Sequence, residues 1–499
     1  MISSTRFQRF LTGAFLLLLA CADRSSRVRD DVILASVADR TLTVREFRAR
    51  VELTPHPSLP GKSDEQVKNT LLNNLLLEKI FAMEAGDENG LAKLESFKHH
   101  MRGIREQSMR EQLFYHVAYD RVQLNPDEIR EIYSLAARQY ELEFYSIHRN
   151  EIADSVSRWI EAQPDSITAI FNSLGNPAKV PKKTVKFKDP DHQLIHEALF
   201  TKPLPADTVI GPLRLGENNH LIFRVKDWVT VPVIGPEAAQ LRWKEVSEKV
   251  HWNRANRLWA DYVRELMAGV KIEFQPETFT ELADIFLSME QAQSPEEKIE
   301  ISKRLQEPGN SDRVFAQLDE RTALLDRPFF TIGDQVWSVR DFKNAVMSHP
   351  LVYRKSQIDA ADFPRQFKYA VADLIRDIYL TERAYGEGLD NRPEVERRVR
   401  MWRDAFIAIS HRNAALKTLA EKHGVQGEPV RLGALFDDYI LDMSEKYRAE
   451  IEINREELKS VRLTGVSMFA VQPDVPYPVA VPGFPLMSTE STLLDSLGR

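Results

Sequence analysis

His192 and His196 stand one helical turn apart, with Glu197 beside the second, and on a helix that spacing turns both imidazoles to one face, as a metal ion would need. No third ligand follows at a recognisable spacing. The pair therefore reads as a solvated helix face, and neither a metal nor a cofactor is expected. His99 and His100 read as surface. No G-x-G-x-x-G, Walker, G-x-S-x-G or H-E-x-x-H pattern occurs, and 20 glycines in 499 residues leave little backbone for cradling phosphate. A formal net charge of -7 gives no electrostatic reason to expect nucleic acid.

The remaining reactive side chain is Cys21, the only cysteine, so no internal disulfide can form. Arg6 and Arg9 precede an apolar run from Phe10 to Ala20, the layout of a secretory signal. The run is shorter than the roughly 20 residues of a membrane span. Leu18-Leu19-Ala20-Cys21 looks like a bacterial lipobox, which makes Cys21 the lipidation site. Several acyl chains would anchor the protein stably where one would not. Ala22 follows the cysteine in place of the aspartate that retains lipoproteins at the inner membrane of enteric bacteria. The expectation is an outer-membrane lipoprotein facing the periplasm, or one on the outer cell surface in a Gram-positive envelope. Residues 1–20 are then the signal peptide and 21–31 a polar tether.

What must position any chemistry in the rest of the chain is a duplicated helical module. Val44, Phe47, Val51 and Pro55 recur as Val339, Phe342, Val346 and Pro350 at a constant offset of 295 residues. Each copy starts with a turn and a helix cap, Thr43 or Ser338, followed by Glu46 or Asp341. That spacing suits reciprocal capping, better with Glu than with Asp. Apolar faces then follow at helical spacing, Leu71 to Phe81 in one copy and Leu374 to Tyr379 in the other. These read as core, and as a client groove only if part of a face stays uncovered. Module one spans 32–135 and is completed by 236–285, whose end, Ile272-Glu-Phe274, reads as a closing strand. Module two spans 325–460 and ends in the similar Ile451-Glu-Ile453. A charged helical connector covers 286–324, and a proline-rich, extended tail covers 461–499.

Residues 136–235 interrupt module one with a different texture. Tyr140 to His148 alternate like a strand, and Ile152 to Ile160 like a helix. Pro177 to Pro190 is a basic loop with a short strand, His192 to Phe200 a helix, and Val209 to Leu213 and His220 to Trp228 two more strands. The fold class expected is α+β, mostly α.

This inserted region resembles a parvulin-type peptidyl-prolyl isomerase domain. Glu197-Ala-Leu-Phe200, the Ile210-Gly-Pro212 turn and Asn219-His220-Leu-Ile-Phe-Arg-Val225 are similar to that family's final helix, its G-P-V turn and its closing G-x-H-I-I strand. The flanking modules resemble the amino-terminal chaperone domain of the SurA, PrsA and PpiD group of exported folding factors. Their V-n-g-x-x-I-T-x-x-E-F pattern is matched by Val37 to Phe47. In that group, too, a parvulin domain interrupts the helical module. The resemblance implies two SurA-N-like helical modules, the first interrupted by a parvulin-like α/β domain.

It also implies a prolyl-peptide site with one histidine from the first strand and one from the last. Two imidazoles in one hydrogen-bond network would lower a barrier of about 18–20 kcal/mol. His220 takes the closing position. Ser146 stands where the first histidine belongs, and His148, two residues on, projects from the same face and could substitute. Phe200 and Leu213 would line a proline pocket or serve as sheet contacts. The family's G-G-x-L-G segment has no counterpart in Pro177 to Pro190. These departures favour a domain kept for peptide binding or packing. The function expected is that of a lipid-anchored envelope folding factor, holding unfolded or nascent exported polypeptides in an apolar cradle without ATP. An active prolyl isomerase, and a scaffold lipoprotein whose tail docks a fixed partner, are the alternatives.

Overall fold

Ile33–Val37 (β1) and Arg40–Thr43 (β2) form a hairpin that runs straight into the helix Val44–Glu52 (α1). In the computed structural model, residues 32–56, 59, 61–175, 179–291, 318–355, 358–464, 476–477 and 479–487 are described. The fold is mostly helical α+β, with 61% helix, 14% strand and three small antiparallel sheets. Asp64–Ala85 (α2) and Glu95–Val117 (α3) follow the first hairpin. Next come Pro126–Leu135 (α4), Arg138–Ile147 (β3), Asn150–Ala162 (α5), Ile167–Ser173 (α6) and Lys182–Lys186 (β4). Gln193–Phe200 (α7), Val209–Gly216 (β5), Asn219–Thr230 (β6) and Pro236–Leu266 (α8) complete that stretch. The second half holds Ile272–Phe274 (β7), Pro276–Gln291 (α9), Thr322–Leu325 (α10), Pro328–Ile332 (β8), Gln335–Ser338 (β9) and Val339–Ser348 (α11). It ends with Phe363–Gly386 (α12), Pro393–His423 (α13), Pro429–Tyr447 (α14), Ile451–Ile453 (β10) and Arg455–Ser460 (α15).

The described residues fall into two compact units. One holds residues 116–261 with Pro476, and the other holds the rest. In the first, the strand order is β4-β3-β6-β5, all antiparallel. One sheet face is covered from α4, α7 and α8 by Ile129, Ile132, Leu199, Phe200 and Val246. The other is covered from α5 and α6 by Ala153, Val156 and Phe171. Helix α4 therefore shares a core with the inserted sheet, so the boundary expected at 136 lies too late. The Ile210-Gly-Pro212 segment, expected as a turn, is a bulge inside β5, where the register shifts between Ile210 and Leu213.

The larger unit holds both copies of the repeat, and its sheets correct the expected closure. Ile272–Phe274 does not complete the first hairpin; it pairs with β8, Ile272 opposite Ile332 and Phe274 opposite Phe330. The first hairpin is closed instead by β10, with Ala35 opposite Ile453 and Val37 opposite Ile451. The helices follow their strands. From α14, Phe436 packs on Phe81 of α2 with ring centroids 6.0 Å apart. From α9, Phe286 packs on Phe367 of α12 at 5.2 Å and on Phe342 of α11 at 6.0 Å. Each such ring contributes about 1.5–3 kcal/mol when buried. The two closing tripeptides share one alternation, so nothing local in the sequence says which hairpin each joins.

The helix caps also depart from expectation. The full reciprocal capping box forms with the shorter side chain: Ser338 N donates to Asp341 Oδ2 at 2.9 Å, and Asp341 N to Ser338 Oγ at 3.2 Å. In the first copy Glu46 N donates to Thr43 Oγ1, but the Glu46 carboxylate is taken by Lys79 Nζ at 3.1 Å. Helix α2 likewise differs from a one-faced helix. Its leucines are buried as expected, and so are Asn73, Asn74, Glu78 and Lys79 between them. Glu78 and Lys79 are held by ion pairs, and Asn74 Nδ2 donates to the Thr70 carbonyl at 2.9 Å. Arg50 grips Glu78 through two bonds of 2.9 and 2.7 Å, and Lys79 reaches both Glu46 and Asp404 at 3.1 Å. Of the region read as a connector, only residues up to 291 and from 318 are described, and its Phe286, Leu318 and Leu324 are core of the second hairpin, as are Leu282 and Leu325 on either side of it.

Candidate functional site

The residues singled out for prolyl-peptide chemistry lie in the smaller unit, on β3, α7, β5 and β6. Strands β3 and β6 are neighbours, as a first and a last strand sharing a site must be. Their register separates the candidates. Ile147 stands opposite His220, while Ser146 stands opposite Leu221. Residues directly opposite share a face and successive residues alternate. His220 therefore shares its face with Ile147, Tyr145 and Ile222. Ser146 belongs to the other face, with Leu221 and Leu213. His148 lies just beyond the end of β3, and both it and Ser146 are exposed. The register therefore does not bring Ser146 to His220, and His148 lies outside the ladder that pairs the two strands.

Phe200 is 1% exposed and walled by Tyr140 and Phe187, with ring centroids 5.3 and 5.2 Å away. It fills the sheet core and lines no open proline pocket. Leu213 is half-buried beside it. The histidines read as a solvated face divide differently. His192 caps α7, its Nδ1 accepting from Leu194 N at 3.2 Å. His196 is buried instead, with Nε2 on the Phe187 carbonyl at 2.9 Å. Burial, with Lys249 nearby, pushes its pKa down to about 4. The apolar partners Phe187 and Phe200 account for this, because they need a ring on that face. Among the described residues no cluster of His, Cys, Asp and Glu could hold a metal ion.

What sequence reasoning missed on the His220 face is a small polar group inside an apolar cover. His220 is 6% exposed and its Nδ1 has no hydrogen-bond partner. Tyr145, diagonal to it across the ladder, has a buried hydroxyl with none either. Burial pushes the Tyr145 phenol pKa up. Glu143, two residues before Tyr145, binds Arg224 at 2.5 Å. Burial would raise that carboxyl, but the Arg224 bonds outweigh it and hold it below the usual range. The period-two parity from His220 through Ile147 to Tyr145 could have shown this, had the register been known. The group can hold or orient a polar chain atom. The Tyr145 ring packs against Phe171 with centroids 5.0 Å apart, in the cluster that also holds Val156, Ile147 and Ile222.

Two clefts lie elsewhere. One of about 340 Å³ is bounded by Lys188, Pro232, Ile234, Leu241 and Glu245 in the smaller unit, where Ile234 is 86% exposed. The other, of about 470 Å³, lies in the larger unit between α3 and the second repeat copy. It gathers residues that sequence reasoning placed on the surface or passed over. His99 Nδ1 is 3.0 Å from Ser348 Oγ. Glu106 accepts from Arg102 at 2.7 Å and is 2.5 Å from His349 Nε2. Burial would raise Glu106, yet the bonds from His349 and Arg102 bring its pKa down to about 2. His100 is no surface residue, for it lies edge-on to Phe406 at 5.0 Å.

Cys21 lies outside the described residues, and among those described no helix is long and apolar enough to cross a membrane. No protein-family model matches this chain, and no curated protein matches it significantly.

Proposed function

We propose that the protein is a lipid-anchored folding factor of the cell envelope, binding unfolded exported polypeptides by apolar contact and without ATP. The observation that carries this reading is the interruption of a duplicated helical module by a four-stranded antiparallel sheet whose first and last strands are neighbours. That is the order of parts in the SurA, PrsA and PpiD group. The lipobox at Leu18 to Cys21 supports the location. Apolar burial needs no directional chemistry and suits clients of unrelated sequence. Binding is favoured over isomerisation because Ser146 and His220 belong to opposite sheet faces.

Two assays test the reading on residues 22–499, which omit the lipidated cysteine. At stoichiometric ratio the protein is expected to suppress aggregation of a chemically unfolded client; failure with every client tried would sink the proposal. On an X-Pro peptide it is expected to leave relaxation at its uncatalysed tens of seconds. Acceleration that disappears in His220→Ala would make the protein an isomerase instead.

A further inference from the structure

We propose that the channel beside α1 and α2, filled by the chain's own residues 479–487, is a binding site for extended, uncharged, proline-containing polypeptide. The tail is its built-in competitor. The proposal rests on the folding-factor reading and gives it a client site and a means of regulation.

Residues 476–487 read Pro-Tyr-Pro-Val-Ala-Val-Pro-Gly-Phe-Pro-Leu-Met and contain no charge. The described part from 479 to 487 forms neither helix nor strand, yet Val481, Pro482, Pro485 and Met487 are buried while Leu486 between them is exposed. Met487 and Phe484 enter the same apolar core as the α2 leucines, and the Phe484 ring lies 5.5 Å from His56. This is how an unfolded client would lie: without helix or strand, with most side chains turned inward and Leu486 outward.

The way its backbone is held points to recognition. Arg50 Nη2 donates to the Gly483 carbonyl at 2.8 Å, and Met487 N donates to Asn74 Oδ1 at 2.7 Å. Arg398 Nη1 donates to the Ala480 carbonyl at 3.4 Å. All three grips are on main-chain atoms, which every polypeptide offers in the same form. Two of the grips are pre-set. Glu78 fixes the Arg50 fork, and Asn74 Nδ2 is tied to the Thr70 carbonyl at 2.9 Å, which leaves Oδ1 for the tail. With the tail seated, Arg50 and Asn74 are 0% and 2% exposed, so the bound segment shields these grips from water. The channel therefore offers polar partners for a polypeptide backbone, and its apolar sockets set the size of the side chains. In the second copy the position at the same offset from Arg50 is Ala345, so the grips belong to one module.

A tethered competitor acts at an effective concentration on the order of millimolar, so a peptide that binds the open channel at 10–100 µM should bind the intact protein about 10–100-fold more weakly. The test compares residues 22–499 with 22–475, both checked for folding by circular dichroism and thermal melting. Two fluorescein-labelled peptides are titrated by anisotropy: residues 476–487, and an unrelated uncharged apolar peptide with prolines. As a safeguard against misfolding of the truncated chain, a protease site placed between 464 and 476 is cut after folding and the freed tail diluted away. Binding of both peptides at least tenfold tighter to the opened protein supports the proposal. Binding of the 476–487 peptide alone would make the channel a dock for its own tail and overturn it. No binding of either to a folded, opened protein would also overturn it. Client aggregation is followed separately. Equal protection with and without the tail, and no peptide binding, removes the channel but leaves the folding-factor reading. Binding of both peptides with no protection removes that reading and leaves the channel.

Discussion

Asp404 ties the second repeat copy to the first through two buried cations, and removing its charge tests the exchanged closure directly. The carboxylate is 0% exposed; it accepts from Arg40, at the start of β2, and from Lys79 of α2 at 3.1 Å. Arg40 retains Asp87 at 3.1 Å and Lys79 retains Glu46 at 3.1 Å. Breaking a buried pair from one side costs about 3–5 kcal/mol. Since each cation keeps one carboxylate, Asp404→Ala is expected at the low end, about 3 kcal/mol. Lys79→Met should cost about 2 kcal/mol, because Asp404 then keeps Arg40. Burial alone would lower the Lys79 pKa, but Glu46 and Asp404 push it above its ordinary value. Its stabilising charge is therefore fully present below the usual lysine pKa and is lost only as pH rises above it, so the measurement belongs at pH 7. Urea unfolding of the single and double variants should give a coupling of about 1–2 kcal/mol. The double change Lys79→Met with Asp404→Leu should recover part of the loss. A coupling below about 0.3 kcal/mol, with single losses under about 1 kcal/mol, would refute the idea that α13 is clamped to α2 here.

The Glu106 carboxyl, at about 2 in the fold against 4.5 ordinarily, contributes stability that is present above pH 4.5 and lost toward pH 2, worth about 3 kcal/mol. Glu106→Gln should flatten that acid limb in melts between pH 5 and about pH 2. His196, held near 4 against 6.5, acts in a higher part of the acid range: the fold resists its protonation, so stability falls from pH 6.5 toward 4, by about 3 kcal/mol. His196→Leu should remove that dependence in near-UV circular dichroism, and an unchanged profile would contradict the buried neutral ring. A Cβ on Gly103 would sit 1.9 Å from the Ser348 carbonyl oxygen, a backbone atom that cannot swing away. Gly103→Ala should therefore cost about 1–3 kcal/mol in denaturant unfolding, with Gly86→Ala as a comparison where the space is open but φ is +73°.

The repeat and most strands and helices of the inserted region were legible because each depends on local periodicity. Tyr140 to Ile147 alternates within β3, and Gln193 to Phe200 becomes α7 with His192 as its cap. Register was not legible. Whether Ser146 or Ile147 faces His220 turns on one residue of slip, and the bulge between Glu141 and Leu142 that sets it has no sequence mark. Nor was ion-pair burial legible. Asn74, Glu78 and Lys79 look like the polar stripe of an amphipathic helix until Arg50, Asp404 and the tail, from up to 413 residues away, surround them. The cap was misjudged for the same reason, since Lys79 competes for Glu46 while Asp341 remains with Ser338.

The exchange of closing elements has a consequence for folding that can be measured. The core around β1 and α2 takes Phe406, Ile407, Phe436 and Ile440 from the second half, while the core around β8 and α12 takes Leu282, Ile285 and Phe286 from the first. Neither half can bury its own hairpin, so cutting the chain at the connector should leave two fragments with uncovered cores. Residues 22–291 alone should lose amide protection on the β1 edge that faces 451–453, including Ala38, whose N–H donates to the Glu450 carbonyl at 2.9 Å, while the β2 side of the hairpin keeps its own partner. Mixing with residues 318–499 should restore that protection with a second-order rate. Each fragment contributes one closing strand and one closing helix, so restoration should be reciprocal, with β8 protected by β7 at the same moment. Hydrogen exchange on the separate and mixed fragments decides it. Protection of that same β1 edge in the isolated first fragment would mean that β7 can close its own hairpin, and that the order read from the sequence is an accessible fold of this chain.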